Sequence, residues 1–208
     1  MIQLLAFDMG GVIMEIDPQQ ALRRFQEIGL TDAATYLDPY SQKGFFGDFE
    51  GGKYSAEEFR SMLSAAVGRP LTHEECAHGW LGYRVGQSQA NLDKVQQLRR
   101  RGYRVVLLSN TNPYMMDFAR SAAFDGGHHG IEYYFDKLYL SYEMRLSKPS
   151  PDIFRRMLAE EGVSAEHTLF IDDSPRNVAA AAALGIKTMQ PATADAWLTE
   201  IDALLETL

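Results

Sequence analysis

A second cysteine, surplus positive charge and long apolar runs are all missing from this chain, and each absence narrows what it can be. Cys76 is the one cysteine in 208 residues, so no internal disulfide can form and no Cys-x-x-Cys or Cys/His zinc spacing exists. A reducing, cytoplasmic setting is the expectation. Lys and Arg number 20 against 28 Asp and Glu, a formal net charge of −8. Nucleic-acid and anionic-membrane surfaces need the opposite balance, because phosphates are met by a local excess of Lys and Arg. No stretch reaches the ~18 consecutive apolar residues of a spanning helix. The run Ile2–Phe7 ends at Asp8 without a basic flank; it is too short for a signal-peptide core and reads as a strand. No internal repeat is visible, and the alanine-rich tract Ala179–Ala183 follows from helix propensity.

What is present is an ordinary globular balance, 46% hydrophobic and 23% charged residues, in a length that suits one sizeable α/β core or a smaller core with an inserted lobe. Ile2–Phe7, Tyr103–Leu108 and Thr168–Ile171 are short buried-strand patterns, with shorter candidates at Lys137–Leu140 and Ile186–Met189. Helical patterns lie between them at Leu92–Arg101, Pro151–Glu161 and Asn177–Leu184, each stopping at a glycine, Gly102, Gly162 and Gly185. Continuous apolar strands alternating with helices predict a Rossmann-like α/β fold, a parallel sheet with helices on both faces.

Residues 18–90 break the alternation. They are helical in pattern, with capping boxes at Ser55–Glu58 and Thr72–Glu75, and contain no convincing buried strand. A small helical cap inserted after the first strand is expected there, leaving 1–17 and 91–208 as the core. Gly44–Gly52, which carries Asp48 and Glu50, reads as a loop able to close over a cleft. The cap aromatics Phe45, Phe46, Phe49, Tyr54 and Phe59 read mainly as packing. His128 and His129 sit in a glycine-bearing loop without a third ligand nearby and are assigned nothing.

Ligands of open α/β sheets bind beyond the carboxyl ends of the strands. The residues there are Asp8-Met-Gly-Gly11, Ser109-Asn-Thr-Asn112 and Asp172-Asp-Ser-Pro-Arg-Asn177, with Lys148-Pro149 ahead of the helix that leads to the third of these strands. Each has a plain reading: Asp8 as a turn residue, Ser109 as a helix N-cap, Lys148 as a surface lysine, Asp172 and Asp173 as a cap pair. Together they have a chemical one. Gly10 and Gly11 let backbone amides approach an anion beside Asp8. A lysine over the strand ends neutralises both a carboxylate and a phosphoryl oxygen. Adjacent carboxylates repel, and a hard cation such as Mg2+ between Asp8 and the Asp172–Asp173 pair relieves that repulsion.

In this order the segments Phe7–Ile13, Leu108–Thr111, Lys148–Phe154 and Phe170–Ser174 resemble the four motifs of the haloacid dehalogenase-like hydrolase superfamily. The chain is most similar to its sugar-phosphatase subgroup, of the α-D-glucose-1-phosphate phosphatase type, a likeness strengthened by Leu108–Asn112 and Tyr139–Ser141. The resemblance implies a magnesium-dependent phosphoric monoester hydrolase in which Asp8 attacks phosphorus. Ser109, Asn110, Gly11 and Lys148 would hold the phosphoryl group. Mg2+ would sit on Asp8, the Gly10 carbonyl and Asp173, with Asp172 in support.

One position departs from the pattern. Most phosphatases of the superfamily carry a second Asp two residues after the nucleophile, as proton donor to the leaving oxygen, and here that residue is Gly10. The departure favours substrates whose leaving group needs little protonation, hexose 1-phosphates among them, or a donor elsewhere: Glu15, Asp17 or a cap residue. It also keeps open a metal-independent 2-haloacid dehalogenase and a noncatalytic phosphate-binding regulator. The expected partner is a small phosphorylated metabolite, not a nucleic acid or a membrane, bound by a monomer or homodimer.

Overall fold

The structure, a computed structural model, describes residues 1–38 and 41–208. Its core is a five-stranded parallel sheet in the order β5-β4-β1-β6-β7. The sheet strands are β1 (Leu4–Phe7), β4 (Arg104–Ser109), β5 (Lys137–Leu140), β6 (Thr168–Ile171) and β7 (Lys187–Met189), while β2 (Met14–Ile16) and β3 (Arg84–Gln87) form a separate antiparallel ribbon. The helices are α1 (Pro18–Glu27), α2 (Gly44–Glu50), α3 (Ala56–Val67), α4 (His73–Trp80), α5 (Gln89–Arg100), α6 (Pro113–Arg120), α7 (Ser141–Met144), α8 (Pro151–Glu161), α9 (Pro175–Ala182) and α10 (Trp197–Thr207). Among the described residues no helix is long and apolar enough to cross a membrane.

Side chains of a strand alternate between faces, and both faces of this sheet are covered. Leu5 and Phe7 of β1, Val105 and Leu107 of β4, and Leu169 and Ile171 of β6 pack with Leu92, Val95 and Leu98 of α5 and Trp197 and Ile201 of α10. Leu4, Ala6, Val106, Leu108 and Phe170 pack on the other side with Ile153, Phe154 and Met157 of α8 and Ala181 of α9. This two-sided burial is why these strands read as unbroken apolar runs. Phe7 lies opposite Leu107 of β4 and Ile171 of β6, so Asp8 and Asp172 emerge side by side, with Ser109 at the end of β4 one residue further on. The chain runs outward from β1 through β4 to β5 before returning to β6 on the other flank, which makes the β4-β1-β6 edge the switch point where such sheets bind ligands.

Residues 18–90 are not wholly helical. Arg84–Gln87 pairs with Met14–Ile16 and brings the two ends of the segment together, with a register irregularity between Glu15 and Ile16. The expected loop at Gly44–Gly52 is largely α2. Residues 39 and 40, within the same segment, lie outside the described residues. Both capping boxes form as the sequence pattern indicates. Phe46, Phe49 and Phe59 are fully buried against Phe25 and Trp80, and Phe49 stacks on Phe59 at 4.3 Å. These rings are core, each contributing ~1.5–3 kcal/mol of burial. Hydrogen bonds tie this segment to helices of the core: Tyr114 Oη of α6 donates to Ala56 O at 3.0 Å, and Ser141 Oγ at the start of α7 donates to Glu50 O at 2.6 Å.

Candidate active site

Asp8 leaves β1 directly above the sheet edge, its amide donating to Ile171 O at 2.9 Å. Its Oδ1 accepts the Met9 amide at 2.7 Å and pairs with Lys148 Nζ at 2.8 Å, leaving Oδ2 without a protein donor among the described residues. Lys148 is buried. Its ammonium also donates to Leu108 O at 2.8 Å and to Asp172 Oδ2 at 2.7 Å. Burial works against this charge, but the Asp172 and Asp8 carboxylates outweigh it and hold the Lys148 pKa above its ordinary value.

Asn110 accounts for the position of that lysine. Its Nδ2 donates to Lys148 O and its Oδ1 accepts from Lys148 N, both at 2.9 Å. The side-chain amide expected to hold substrate is therefore committed to the lysine backbone, so Asn110 positions Lys148. Ser109 is buried at the end of β4 with only a long 3.3 Å bond to Asn110 O, so its hydroxyl can turn to a ligand. The N-cap role considered for Ser109 belongs to Asn112, whose side chain accepts the Met115 amide.

Asp172 and Asp173 divide their labour. Asp172 is buried, and its two oxygens accept the Ser174 amide, the Asn177 amide group and Lys148. Both of its oxygens are thus taken up by protein donors. Asp173 is held differently, against Gly11, where a Cβ would fall 2.3 Å from Asp173 Oδ2 in a backbone with φ +72°. Only glycine permits that approach without strain. The Gly11 amide, expected to face an anion, donates instead to Met14 O at 2.8 Å; the residue makes room for Asp173.

One oxygen from each of Asp8, Asp172 and Asp173 lies within 4.8 Å of the others. Three carboxylates here face one lysine, and the imbalance shows at Asp8 and Asp173. Burial, then the neighbouring carboxylates, lifts Asp8 well above the ordinary carboxylate range against the pull of Lys148. Burial and Asp172 raise Asp173 to about 6. Hard oxygen donors, a deficit of positive charge and an Asp173 carboxylate free of side-chain partners among the described residues fit a small divalent cation such as Mg2+.

A cavity of about 90 Å³ opens over these groups, lined by Asp8, Gly10, Ser109, Lys148 and Asp173 from the sheet side and by Gln42, Glu50, Trp80 and Tyr83 from the helical segment. Glu50 ends α2 inside the cavity, and burial raises its carboxyl to about 8, with Asp8 adding to the rise and the Asn112 amide and Lys148 opposing it. Glu15 lines a separate cavity with Gln87 and Asn91. Asp17 caps α1, and Asp48 pairs with Lys53. Sequence reasoning gave no role to Asn177, Asn112 or Ser174, although all three lie in the quoted strand-end segments. Gln42 and Tyr83, joined by a 3.0 Å hydrogen bond, carry no local signal at all.

The family model of haloacid dehalogenase-like hydrolases matches residues 88–185, which hold Ser109, Lys148, Asp172 and Asp173. The chain is 42% identical over 205 residues to a D-ribitol-5-phosphate phosphatase of Bacteroides thetaiotaomicron, covering 99% of each. It superposes on a predicted HAD-like family hydrolase from Porphyromonas gingivalis with TM-score 0.93 and 42% identity, over 99% of this chain and 98% of that one. A second solved structure, a HAD family enzyme from Bacteroides thetaiotaomicron in complex with magnesium and inorganic phosphate, gives TM-score 0.86 at 32% identity, over 95% and 98% of the two chains. With its parallel sheet, its strand-end acids and these relatives, the chain belongs to the haloacid dehalogenase-like hydrolase family.

Proposed function

We propose that the chain is a cytoplasmic, magnesium-dependent phosphatase of small phosphorylated sugars and sugar alcohols, with Asp8 as nucleophile. The observation that carries this reading is the meeting of Asp8, Lys148 and Asp173 in one small cavity at the strand ends. An Asp8 oxygen attacks phosphorus, forming the O–P bond of an aspartyl-phosphate while the bond to the sugar oxygen breaks. Water then attacks that phosphorus and restores the carboxylate. Lys148 favours the ionised form of Asp8 against the effect of burial and offsets the charge of the incoming phosphoryl group, and the Ser109 hydroxyl orients it. Bound by Asp8, the Gly10 carbonyl and Asp173 with Asp172 behind them, magnesium would supply Lewis-acid stabilisation of the phosphoryl oxygens. Residues 18–90 act as the cap, and the polar Gln42–Tyr83 pair faces the sugar.

Substrate choice within this class turns on the leaving group. Gly10 supports hexose 1-phosphates, whose anomeric oxygen is the better leaving group. The D-ribitol-5-phosphate phosphatase supports a primary alkyl phosphate, whose oxygen must be protonated, and its identity runs through the entire chain. Phosphate release from ribitol 5-phosphate, hexose 1-phosphates and hexose 6-phosphates, with Mg2+ and with chelator, tests the reading. Turnover is expected on at least one ester, dependent on Mg2+, and abolished in Asp8→Asn with the fold intact. Metal-independent turnover, or an active Asp8→Asn, would remove it.

A further inference from the structure

A phosphatase acting on alkyl esters needs a proton for the departing oxygen, and residue 10 cannot provide one. Its glycine is not imposed by the backbone: φ lies outside the left-handed region, and a Cβ would make ordinary contact with Ile16 at 3.4 Å. Neither a left-handed backbone nor a Cβ clash reserves this position for glycine, which directs attention to the other carboxyls in the cavity. They are Asp8, Asp173 and Glu50. Asp8 is the nucleophile and Asp173 faces the cation position beside Gly11, so Glu50 remains.

Glu50 is built in place. It is the last residue of α2, between the fully buried Phe49 and the turn of Gly51 and Gly52. Its carbonyl accepts Ser141 Oγ at 2.6 Å. A Cβ on Gly52, at φ +73°, would fall 2.1 Å from Tyr142 O, so the turn after Glu50 is seated against the start of α7. The helix end cannot drift from the sheet without breaking these contacts. The groups that face the carboxyl are the Asp8 carboxylate, the Lys148 ammonium, the Asn112 amide and the Tyr83 phenol. Burial first, and then Asp8, push its carboxyl up from the ordinary range, and its place in the cavity wall opposite Asp8 is what puts that carboxyl within the site. Asn112 Nδ2 is itself buried without a full hydrogen bond, a donor available to hold the carboxylate that remains after proton loss.

We propose that Glu50, on the helical segment, is the general acid that protonates the leaving oxygen in place of the acid absent at Gly10. As the P–O bond to the sugar breaks, the Glu50 proton passes to the leaving oxygen and the alcohol departs neutral. The Glu50 carboxylate then takes a proton from the water that attacks the aspartyl-phosphate, so the cycle closes with Asp8 and Glu50 restored. The assignment rests on the phosphatase reading above and names the residue that reading leaves open.

The test compares Glu50→Gln with the native enzyme on two esters, ribitol 5-phosphate and 4-nitrophenyl phosphate, in kcat/KM, which reports the step up to loss of the leaving group. The amide removes the proton and keeps the shape. Loss of ~10²–10³-fold on the alkyl ester with under ~10-fold on the aryl ester, whose phenolate leaves unaided, is expected. Equal losses on both esters, or none on the alkyl ester, would overturn the assignment. If Glu50→Gln does not fold, the native enzyme decides. Its kcat/KM for the alkyl ester should fall on the alkaline side relative to that for the aryl ester, as loss of an acid's proton requires, and parallel pH profiles would overturn it. A native enzyme that releases phosphate from neither ester fails the phosphatase reading instead, a result distinct from any of these.

Discussion

Asn110 grips the backbone of Lys148 at two points, donating to its carbonyl and accepting from its amide at 2.9 Å each. Asn110→Ala removes both bonds while touching neither charge. We expect a loss of about 1–3 kcal/mol of stability from the unpaired backbone groups. We also expect a ~10–100-fold fall in kcat/KM, because the ammonium is no longer held to its place. Asn110→Asp should recover less than half of that fall, since a carboxylate can replace the acceptor but not the donor. Denaturant titration and steady-state kinetics on the same preparations check both parts.

Lys148→Met is the converse case, in which the charge goes and the shape stays. Asp8 and Asp172 are then left buried without a cation, so a destabilisation of about 3–5 kcal/mol is expected near neutral pH. Part of it should return as the pH is lowered, because protonating the stranded carboxyls relieves their repulsion. Urea unfolding at acid and neutral pH measures the recovery, and a pH-independent loss would contradict it.

Removal of metal gives a pH-dependent signature. Asp173 lies at about 6 and Glu50 at about 8 in the folded protein, against ordinary values of 3.8 and 4.5. Folded pKa values above the unfolded ones mean that the folded state binds more protons. The stability these groups contribute is complete below the unfolded values and is lost as pH rises through about 6 and about 8. The Tm of metal-free protein should therefore fall between pH 5 and 8.5, whereas added Mg2+ should stabilise it most at the alkaline end, by about 2.7 kcal/mol at one hundred times its Kd. Calorimetry with and without Mg2+ across this range tests the sign.

Gly11→Ala should act on the cation more than on the fold. The new methyl would meet Asp173 Oδ2 in a left-handed backbone, costing about 1–2 kcal/mol in stability and pushing Asp173 out of line. A weakened Mg2+ dependence of activity, with KM for the ester less affected, is the expected pattern. Mg2+ titration of the variant reads it.

The parts of this molecule that were legible in the sequence share a physical cause. Leu4–Phe7 and Thr168–Ile171 are buried on both faces, which writes an unbroken apolar run, and the polar residues just beyond such runs stand out. Ribbon strands β2 and β3 are three and four residues long and partly exposed, and they pair across a wide gap in sequence, so no local period marks them. Helix α2 starts at Gly44 and contains Gly47, both poor helix formers, and this hid the helix and the orientation of Glu50 together. Asn110 and Asn177 were visible as polar neighbours of the motifs, but their partners, a backbone 38 residues away and a carboxylate five residues away, exist only in the folded chain.

The β2–β3 ribbon sets a boundary condition on how this protein can change. Glu15 lies opposite Gly86, so the chain leaves the sheet and comes back through neighbouring strands whose Cα atoms sit about 5 Å apart. Whatever is placed between those residues inherits a closed doorway. The helices between them can be lengthened, shortened or exchanged for another module with its two ends already fixed, while the register of β1 against β4 and β6 stays as it is. With residues 18–90 as the cap proposed above, that segment can therefore change apart from the strand ends. The exception is Glu50, which sits on the exchangeable side and would leave with it.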